Sequence, residues 1–411
     1  MNRPVDRPGK DREPGVAERP GLLVVTRRYW PLPGGWESTW ARLLGELVRR
    51  GRKVTVLTPR RQRDWPAETV HGGVRIVRLA PPGSTPWSEL RYLSRLTHAM
   101  RSLRDDYELV LTAGLRGDAY AAVGEARSLR VPVLLQPEQP GVGGDCYWQI
   151  EAPCGARIKR RCYRADAYLA ATPLLERELI AAGYARSRIH CVPLGTALPA
   201  MAKTAERIEA RRNLAQADPA LAPSAVRKLV VCVGRLRLNK GLGLLLDAWR
   251  KVIEQSQPAE LWLVGEGPDA RTIREQIFEL GLVDSVRLTG AFDDLEDVWR
   301  AADAAVCPAL VDGPAVGLLE AASHGLPIVA SDVATHRERF AAEVEAKFYD
   351  RNDAAALARA LIETLTDATQ ATQRGEATRR RTARDYSLSQ MADAYEARFE
   401  ALLAARTESV R

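Results

Sequence analysis

Pro308-Ala-Leu-Val-Asp-Gly-Pro-Ala-Val-Gly-Leu-Leu-Glu-Ala-Ala-Ser-His-Gly-Leu-Pro327 comes directly after the short apolar run Ala304 to Cys307. That run has the length and composition of a buried strand, and the segment beyond it reads as loop and then helix. Gly313 and Pro314 suit a helix start, where proline lacks only an N–H that would have no partner within the helix. This reading puts Asp312 in a loop beyond the strand and Glu320 in the second turn of the helix, so the two acids have different tasks. The loop carboxylate can accept hydrogen bonds from ligand hydroxyls, and the helical one can reach a diol. The amides of Ala315, Val316 and Gly317 are placed to meet an anion such as a diphosphate. A capping Asp and an incidental helical Glu would give the same residues.

The same alternation of apolar run and amphipathic stretch extends outward on both sides. Leu229 to Gly234, Leu261 to Gly265, Val286 to Thr289 and Ile328 to Ser331 read as strands of the same unit. An earlier series comprises Leu22 to Thr26, Lys53 to Thr58, Leu109 to Thr112, Val131 to Gln136, Ala167 to Thr172 and His190 to Leu194. Strands alternating with helices predict an α/β fold with parallel sheets covered on both faces and ligands at the carboxyl ends of the strands. Residues 1–20 mix Pro, Gly and charge without periodicity and read as a disordered tail. Residues 21–195 form one doubly wound, Rossmann-like domain, 196–227 a proline-broken connection, and 228–385 a second such domain across a cleft. Residues 386–411 form a helix long enough to pack back on the first domain.

Three further loops join strands to helices. Val233-Gly-Arg-Leu-Arg-Leu-Asn-Lys-Gly241 sets Arg235 and Lys240 just past a strand end, where a planar fork and a mobile ammonium can converge on a diphosphate. A solvated loop with ordinary charges is the alternative. Gly265-Glu-Gly-Pro-Asp-Ala270 formally satisfies a dinucleotide fingerprint, but it follows the second strand of its domain, and Pro268 reads as helix-starting. Pro31-Leu-Pro-Gly-Gly-Trp-Glu37 places Gly34 and Gly35 before a helix, where the backbone can approach a ligand closely or simply turn tightly.

Composition narrows the classes of function. Of 411 residues, 46% are hydrophobic and 27% charged, which is the balance of a globular protein with a sizeable core. No apolar run suffices for a bilayer-spanning helix and the first twenty residues hold no signal-peptide core, so a cytoplasmic location is expected. Cys146, Cys154 and Cys162 recur every eight residues but form no Cys-x-x-Cys pair, and no zinc framework is proposed. Asp293, Asp294, Glu296 and Asp297 read as acids at a helix start rather than as metal ligands. Up to Leu194 there are 32 Lys and Arg against 20 Asp and Glu, and thereafter 28 against 32. The basic N-terminal half fits either a solvated surface or an anionic partner.

The order of these motifs resembles the large family of retaining GT-B glycosyltransferases usually numbered four (glycosyl transferases group 1). The Gly-Gly turn comes first, then Val-Gly-Arg-Leu with a following Lys-Gly, then Gly-Glu-Gly-Pro, then two acids separated by seven residues. The likeness covers the chain from about Gly21 to Leu403 and is most specific in the C-terminal half. It implies a sugar transferase acting from a nucleotide-sugar donor, with a UDP-, GDP- or ADP-sugar in view, onto a glycan or lipid-linked hydroxyl. Polysaccharide or glycoconjugate synthesis is the implied setting. Arg235 and Lys240 would hold the donor diphosphate, with Gly34, Gly35, Gly265, Ala315, Val316 and Gly317 around the donor. Glu320 would bind the ribose, and Asp312 would stand where the family usually has a Glu contacting the donor sugar. No metal or other cofactor is implied.

Two departures from the family pattern mark the chain. Ser331-Asp-Val-Ala-Thr-His-Arg-Glu338 lacks the glycine pair common after this strand. All five histidines, His71, His98, His190, His324 and His336, fall away from the N-terminal strand end where relatives carry one near the anomeric carbon. The matching strand here runs Leu134-Leu-Gln-Pro-Glu138 and continues through Gln139-Pro-Gly-Val-Gly-Gly-Asp-Cys-Tyr-Trp148. Glu138 or Asp145 is expected to orient the acceptor hydroxyl, Trp148 to stack on an acceptor sugar and Glu37 to join them; a plain loop is the alternative. Arg157, Lys159, Arg160, Arg161 and Arg164 are the candidate face toward an anionic inner membrane, and nucleic acid is not expected. A sugar phosphorylase, a nucleotide-sugar epimerase or a non-catalytic nucleotide-sugar-binding module are the rival readings.

Overall fold

The computed structural model describes residues 19–224, 226–310, 313 and 315–410. It divides into two compact units. The N-terminal unit takes residues up to Leu32, Trp36–Leu194 and the C-terminal helix from Leu388; the C-terminal unit takes Pro33–Gly35 and Gly195–Ser387.

The N-terminal unit is built on eight strands: β1 (Arg19–Val25), β2 (Arg52–Pro59), β3 (Glu68–His71), β4 (Val74–Leu79), β5 (Leu109–Ala113), β6 (Val133–Gln136), β7 (Ala167–Ala170) and β8 (Ile189–Cys191). Their order is β3-β4-β2-β1-β5-β6-β7-β8, parallel throughout except for β3 against β4. β5, β6 and β7 are buried at every residue, as central parallel strands covered on both faces must be. Strand β1 begins at Arg19, so Arg19 and Pro20 belong to the sheet rather than to the expected tail. The β3–β4 hairpin was not expected; its two-residue turn is Gly72-Gly73, both with positive φ, the geometry that matches the twist of paired strands.

The helix Leu388–Val410 closes this unit. Arg50 reaches Asp393 at 2.5 Å and the Ser389 hydroxyl at 2.9 Å, and Arg19 pairs with Glu396 at 2.5 Å. Beneath these ion pairs Tyr395 packs edge-on to Trp40 and hydrogen-bonds Gln136 at the end of β6, all three fully buried.

The C-terminal unit holds β9 (Lys228–Val233), β10 (Ala259–Val264), β11 (Val286–Gly290), β12 (Ala304–Cys307), β13 (Ile328–Ser331) and β14 (Lys347–Tyr349). All are parallel in the order β11-β10-β9-β12-β13-β14. The chain therefore winds one way from β9 to β11 and the other way from β12 to β14. The switch point lies between β9 and β12, where doubly wound sheets open a crevice for ligands. One face of the sheet is filled by Leu245, Leu246, Trp249, Leu261, Leu263, Leu357 and Leu361, all fully buried.

The segment expected as a connection is a structural part of this unit. It contains the helix Thr204–Ala217, clamped by Arg207 and Arg211 onto Asp303 at 2.9 and 2.7 Å. The same carboxylate also accepts the Leu229 amide at 2.9 Å, so it ties the helix to the start of β9.

Candidate functional site

In the C-terminal unit three loops meet at the switch point. Beyond β9 the chain runs through Arg235 and a single 3₁₀ turn, Leu238–Lys240, to Gly241, which caps the helix Leu242–Gln255. Gly241 has φ 72°, and a Cβ there would come within 1.9 Å of the Pro308 carbonyl. The loop after β9 is thus pressed against the loop after β12, and no larger residue fits between them. Leu236 is buried and anchors this loop, while Arg235 beside it is exposed and Lys240 half-buried.

The loop after β10 braces the first. The Leu236 amide donates to the Glu266 carbonyl at 3.0 Å, the Asp269 amide to the Leu236 carbonyl at 3.2 Å, and the Asp269 carboxylate accepts the Leu238 amide at 2.8 Å. Gly265, with φ 137°, lies so close that a Cβ would meet the Gly234 carbonyl at 2.0 Å. Gly265 therefore shapes the loop that carries Arg235 and Lys240. Pro268 precedes a helix that begins at Ala270.

Beyond β12 the Ser331 hydroxyl donates to the Ala309 carbonyl at 2.6 Å and Arg351 to the Leu310 carbonyl at 3.1 Å. Ser331 is held in turn by the buried His336, whose Nδ1 lies 3.0 Å from the Ser331 carbonyl. Asp312 lies outside the described residues. The helix occupies Val316–Ser323, later than the expected start at Gly313 and Pro314, because Ala315 takes a left-handed conformation (φ 49°, ψ 49°) and stands outside it as the N-cap. Gly317 packs this helix onto the end of β9, where a Cβ would lie 3.2 Å from the Val233 carbonyl. Glu320 remains in the second turn and is buried at 4% exposure. The turn residues Pro33–Gly35 group with this unit, with Val316 against Gly35. One region thus gathers Gly265, Arg235, Lys240, Val316, Gly317 and Glu320.

In the N-terminal unit, Glu138 follows β6. Its amide donates to the Asp145 carboxylate at 2.8 Å and its carbonyl accepts the Trp36 indole at 2.9 Å. Burial, with the Asp145 and Glu37 carboxylates nearby, pushes the Glu138 carboxyl up to about 8. Asp145 itself is buried and also accepts from the Leu115 amide at 3.4 Å and Arg116 Nε at 3.3 Å. It therefore organises the loop, and of the two expected acids Glu138 is the one whose carboxyl is not occupied in bracing backbone. Glu37 is buried and paired with Arg28. Trp148 is half-buried with the Arg116 guanidinium 5.3 Å over its ring. Cys146 and Cys162 are buried, which pushes both thiols up to about 12, and Cys154 is exposed.

Three of the five histidines, His336, His324 and His71, make scaffold contacts. His324 ends the helix of Glu320, with Nδ1 2.9 Å from the Glu320 carbonyl and Nε2 3.1 Å from Glu296, and His71 stacks on Trp30 at 4.0 Å. A buried network after β1 was missed in the sequence. Arg27 pairs with Asp118 and Glu89 and lies 4.7 Å over the Tyr92 ring, and its only sequence signal is Thr26-Arg-Arg-Tyr29 at a strand end.

Residues 227–367 match the family model described as glycosyl transferases group 1, and residues 34–195 match that of the glycosyl transferase 4-like domain. With two Rossmann-like sheets and the switch-point loops in place, the chain is a glycosyltransferase of the GT-B type. Among curated relatives, the mannosylfructose-phosphate synthase of Agrobacterium fabrum is 28% identical over 331 residues, covering 70% of this chain and 68% of that protein. The phosphatidyl-myo-inositol mannosyltransferase of Mycobacterium leprae is 35% identical over 143 residues, 34% of this chain and 37% of that protein. Among solved structures, sucrose-phosphate synthase from Thermosynechococcus elongatus superposes with a TM-score of 0.76 at 21% identity, over 94% of this chain and all of that one. Anabaena HepE, in complex with UDP and glucose, gives 0.75 at 14% identity over 93% of this chain and all of that one. At these identities the structural likenesses speak for the fold. No helix among the described residues is long and apolar enough to cross a membrane.

Proposed function

We propose that this glycosyltransferase takes a sugar from a nucleoside-diphosphate donor bound by its C-terminal unit and passes it, with retained anomeric configuration and without a metal, to an acceptor hydroxyl bound by its N-terminal unit. The observation that carries the reading is the convergence of the Arg235–Lys240 loop, the Gly265 loop and the start of the helix Val316–Ser323 on one switch point. Two cations and the amides of a helix start there suit the charge that develops on a departing diphosphate. Glu320 would take the ribose diol and Asp312 the donor sugar. A donor phosphate oxygen receives the acceptor proton, so the protein needs no strong base beside it. Glu138, with its carboxyl raised to about 8, is largely protonated at neutral pH and can donate a hydrogen bond that orients the acceptor hydroxyl.

The names of the relatives, a sugar-phosphate synthase and a phosphatidylinositol mannosyltransferase, support a phosphorylated or lipid-linked acceptor. The helices Asp145–Glu151 and Gly155–Cys162 expose Tyr147 and Ile150 beside Arg157 and Arg160, which suits a peripheral site at the cytoplasmic face of an anionic membrane. Arg161 is less available, since it lies 4.0 Å over the Tyr120 ring.

A panel of nucleotide sugars, read by release of nucleoside diphosphate, tests the transfer reading. Arg235→Ala and Lys240→Ala each remove charge-assisted hydrogen bonds to the leaving group and should lower donor kcat/KM by roughly ten- to a hundredfold. Unchanged donor kinetics in both, and in Glu320→Ala, would overturn the site. Binding of a donor without turnover would favour a non-catalytic module.

A further inference from the structure

We propose that Arg61 and Arg28 form an anion subsite on the N-terminal unit that takes the phosphate group of a phosphorylated acceptor. The inference rests on the transfer reading above and names the chemical class of its acceptor.

The subsite is built on the loop after β1. The Thr26 hydroxyl donates to the Arg28 carbonyl at 3.0 Å and tightens the turn. Arg27 is consumed by Asp118, Glu89 and the Tyr92 ring, and Arg28 meets Glu37 while its side chain stays 38% exposed. Two further guanidiniums reach the same loop from neighbouring strands. Arg61, just past β2, donates to the Arg27 carbonyl at 3.3 Å; Arg78, within β4, donates to the Trp30 carbonyl at 3.3 Å. Neither pairs with a carboxylate among the described residues.

Arg78 is 5% exposed and lies over the Trp30 and Trp65 rings, donating also to the Pro66 carbonyl, so its task is to hold the loop. Arg61 is the more exposed of the two. Of the four guanidiniums on this loop, Arg61 is the accessible one that pairs with no carboxylate among the described residues. Partial burial of its head group, and then the charges of Arg28 and Arg27, hold the Arg61 guanidinium below its ordinary pKa. An approaching dianion relieves that repulsion, and planar guanidiniums match phosphate oxygens in pairs. The place is also apt, because β1 and β2 present their carboxyl ends here, where doubly wound sheets bind ligands. A neutral sugar would leave this charge unanswered.

Isothermal titration without donor tests the subsite, using fructose 6-phosphate, fructose and phosphatidylinositol vesicles as probes. The variants are Arg61→Gln, Arg61→Lys and, as a control at an exposed arginine before β8, Arg186→Gln. The expected result is phosphate-dependent binding, about tenfold or more weaker in Arg61→Gln, partly restored by Arg61→Lys and unaffected in Arg186→Gln. If the response comes with fructose 6-phosphate the phosphate belongs to a soluble sugar, and if with vesicles to a lipid headgroup; both support the subsite. Absence of binding in both arms, equal binding of fructose, or an equal loss in Arg186→Gln overturns it. Nucleoside diphosphate release from donors, measured on the same preparations, judges the transfer reading separately, since the titration requires no turnover.

Discussion

Gly265→Ala is the sharpest perturbation of the switch-point loops. The residue sits at φ 137°, and an added methyl would meet the Gly234 carbonyl oxygen at 2.0 Å and its carbon at 3.0 Å. Neither side can yield cheaply: the Gly265 amide is bonded to the Gly290 carbonyl at 2.8 Å and the Gly234 amide to the Val264 carbonyl at 3.0 Å. Backbone strain of about 1 to 2 kcal/mol and overpacking of about 1 to 3 kcal/mol combine to about 3 kcal/mol. For a unit of this size that lowers Tm by about 6 to 12 °C. Gly281→Ala is the matched comparison, with φ 67° in the same unit and nothing within 4 Å of the added carbon, so only the strain applies. It should cost about 1 kcal/mol, or about 2 to 4 °C. Differential scanning calorimetry of the two variants reads the difference, and the donor KM of Gly265→Ala should rise as the Arg235 loop shifts. Equal melting of the two variants would refute the claim that contact with Gly234 sets the position of that loop.

Two other expectations concern charge. Glu138 is raised to about 8 in the folded chain against an ordinary 4.5. Below about pH 4.5 it is protonated both folded and unfolded; between there and about 8 only the unfolded chain ionises, so stability falls as pH rises and levels off above 8. Glu138→Gln should remove that slope in urea midpoints of the N-terminal unit between pH 5 and 9, and an unchanged slope would discard the assignment. Asp303→Ala strips Arg207, Arg211 and the Leu229 amide of one acceptor. It should cost about 2 to 3 kcal/mol and make Thr204–Ala217 the first site of limited proteolysis, and cleavage elsewhere at the wild-type rate would contradict its role as a clamp.

How far the sequence could be read depends on the range of the interactions. The strand β12 and the place of Glu320 in the helix beyond it were legible because strand, loop and helix are consecutive. The close approach of Gly241 to Pro308 and of Gly265 to Gly234 was not legible, since it joins loops that follow different strands. The later start of the helix was not legible, since Ala315 is left-handed where local propensity favours continuation and the packing of Gly317 on β9 decides otherwise. The helix Thr204–Ala217 looked like a connection because its anchor, Asp303, lies some 90 residues away and no local pattern announces it. Strand β4 alternates buried and half-buried residues, with Arg75 and Arg78 between its apolar ones, and was hidden by charge; the Gly72-Gly73 turn was the available signal.

The loop after β6 shows a stronger version of the same limit. Glu138, Asp145 and Glu37 look alike in sequence, three acids near aromatic residues, and only their partners separate them. Asp145 is surrounded by donors that fix a loop and Glu37 is matched with Arg28, whereas the Glu138 carboxyl is disfavoured as an anion by burial first and then by both neighbours. A carboxyl that burial, with Asp145 and Glu37 nearby, keeps protonated can donate a hydrogen bond, and on the proposed reading it would do so where relatives place a histidine. On the proposed reading, the departure from the family pattern would change which atom orients the acceptor and leave the requirement for a donor at that strand end intact.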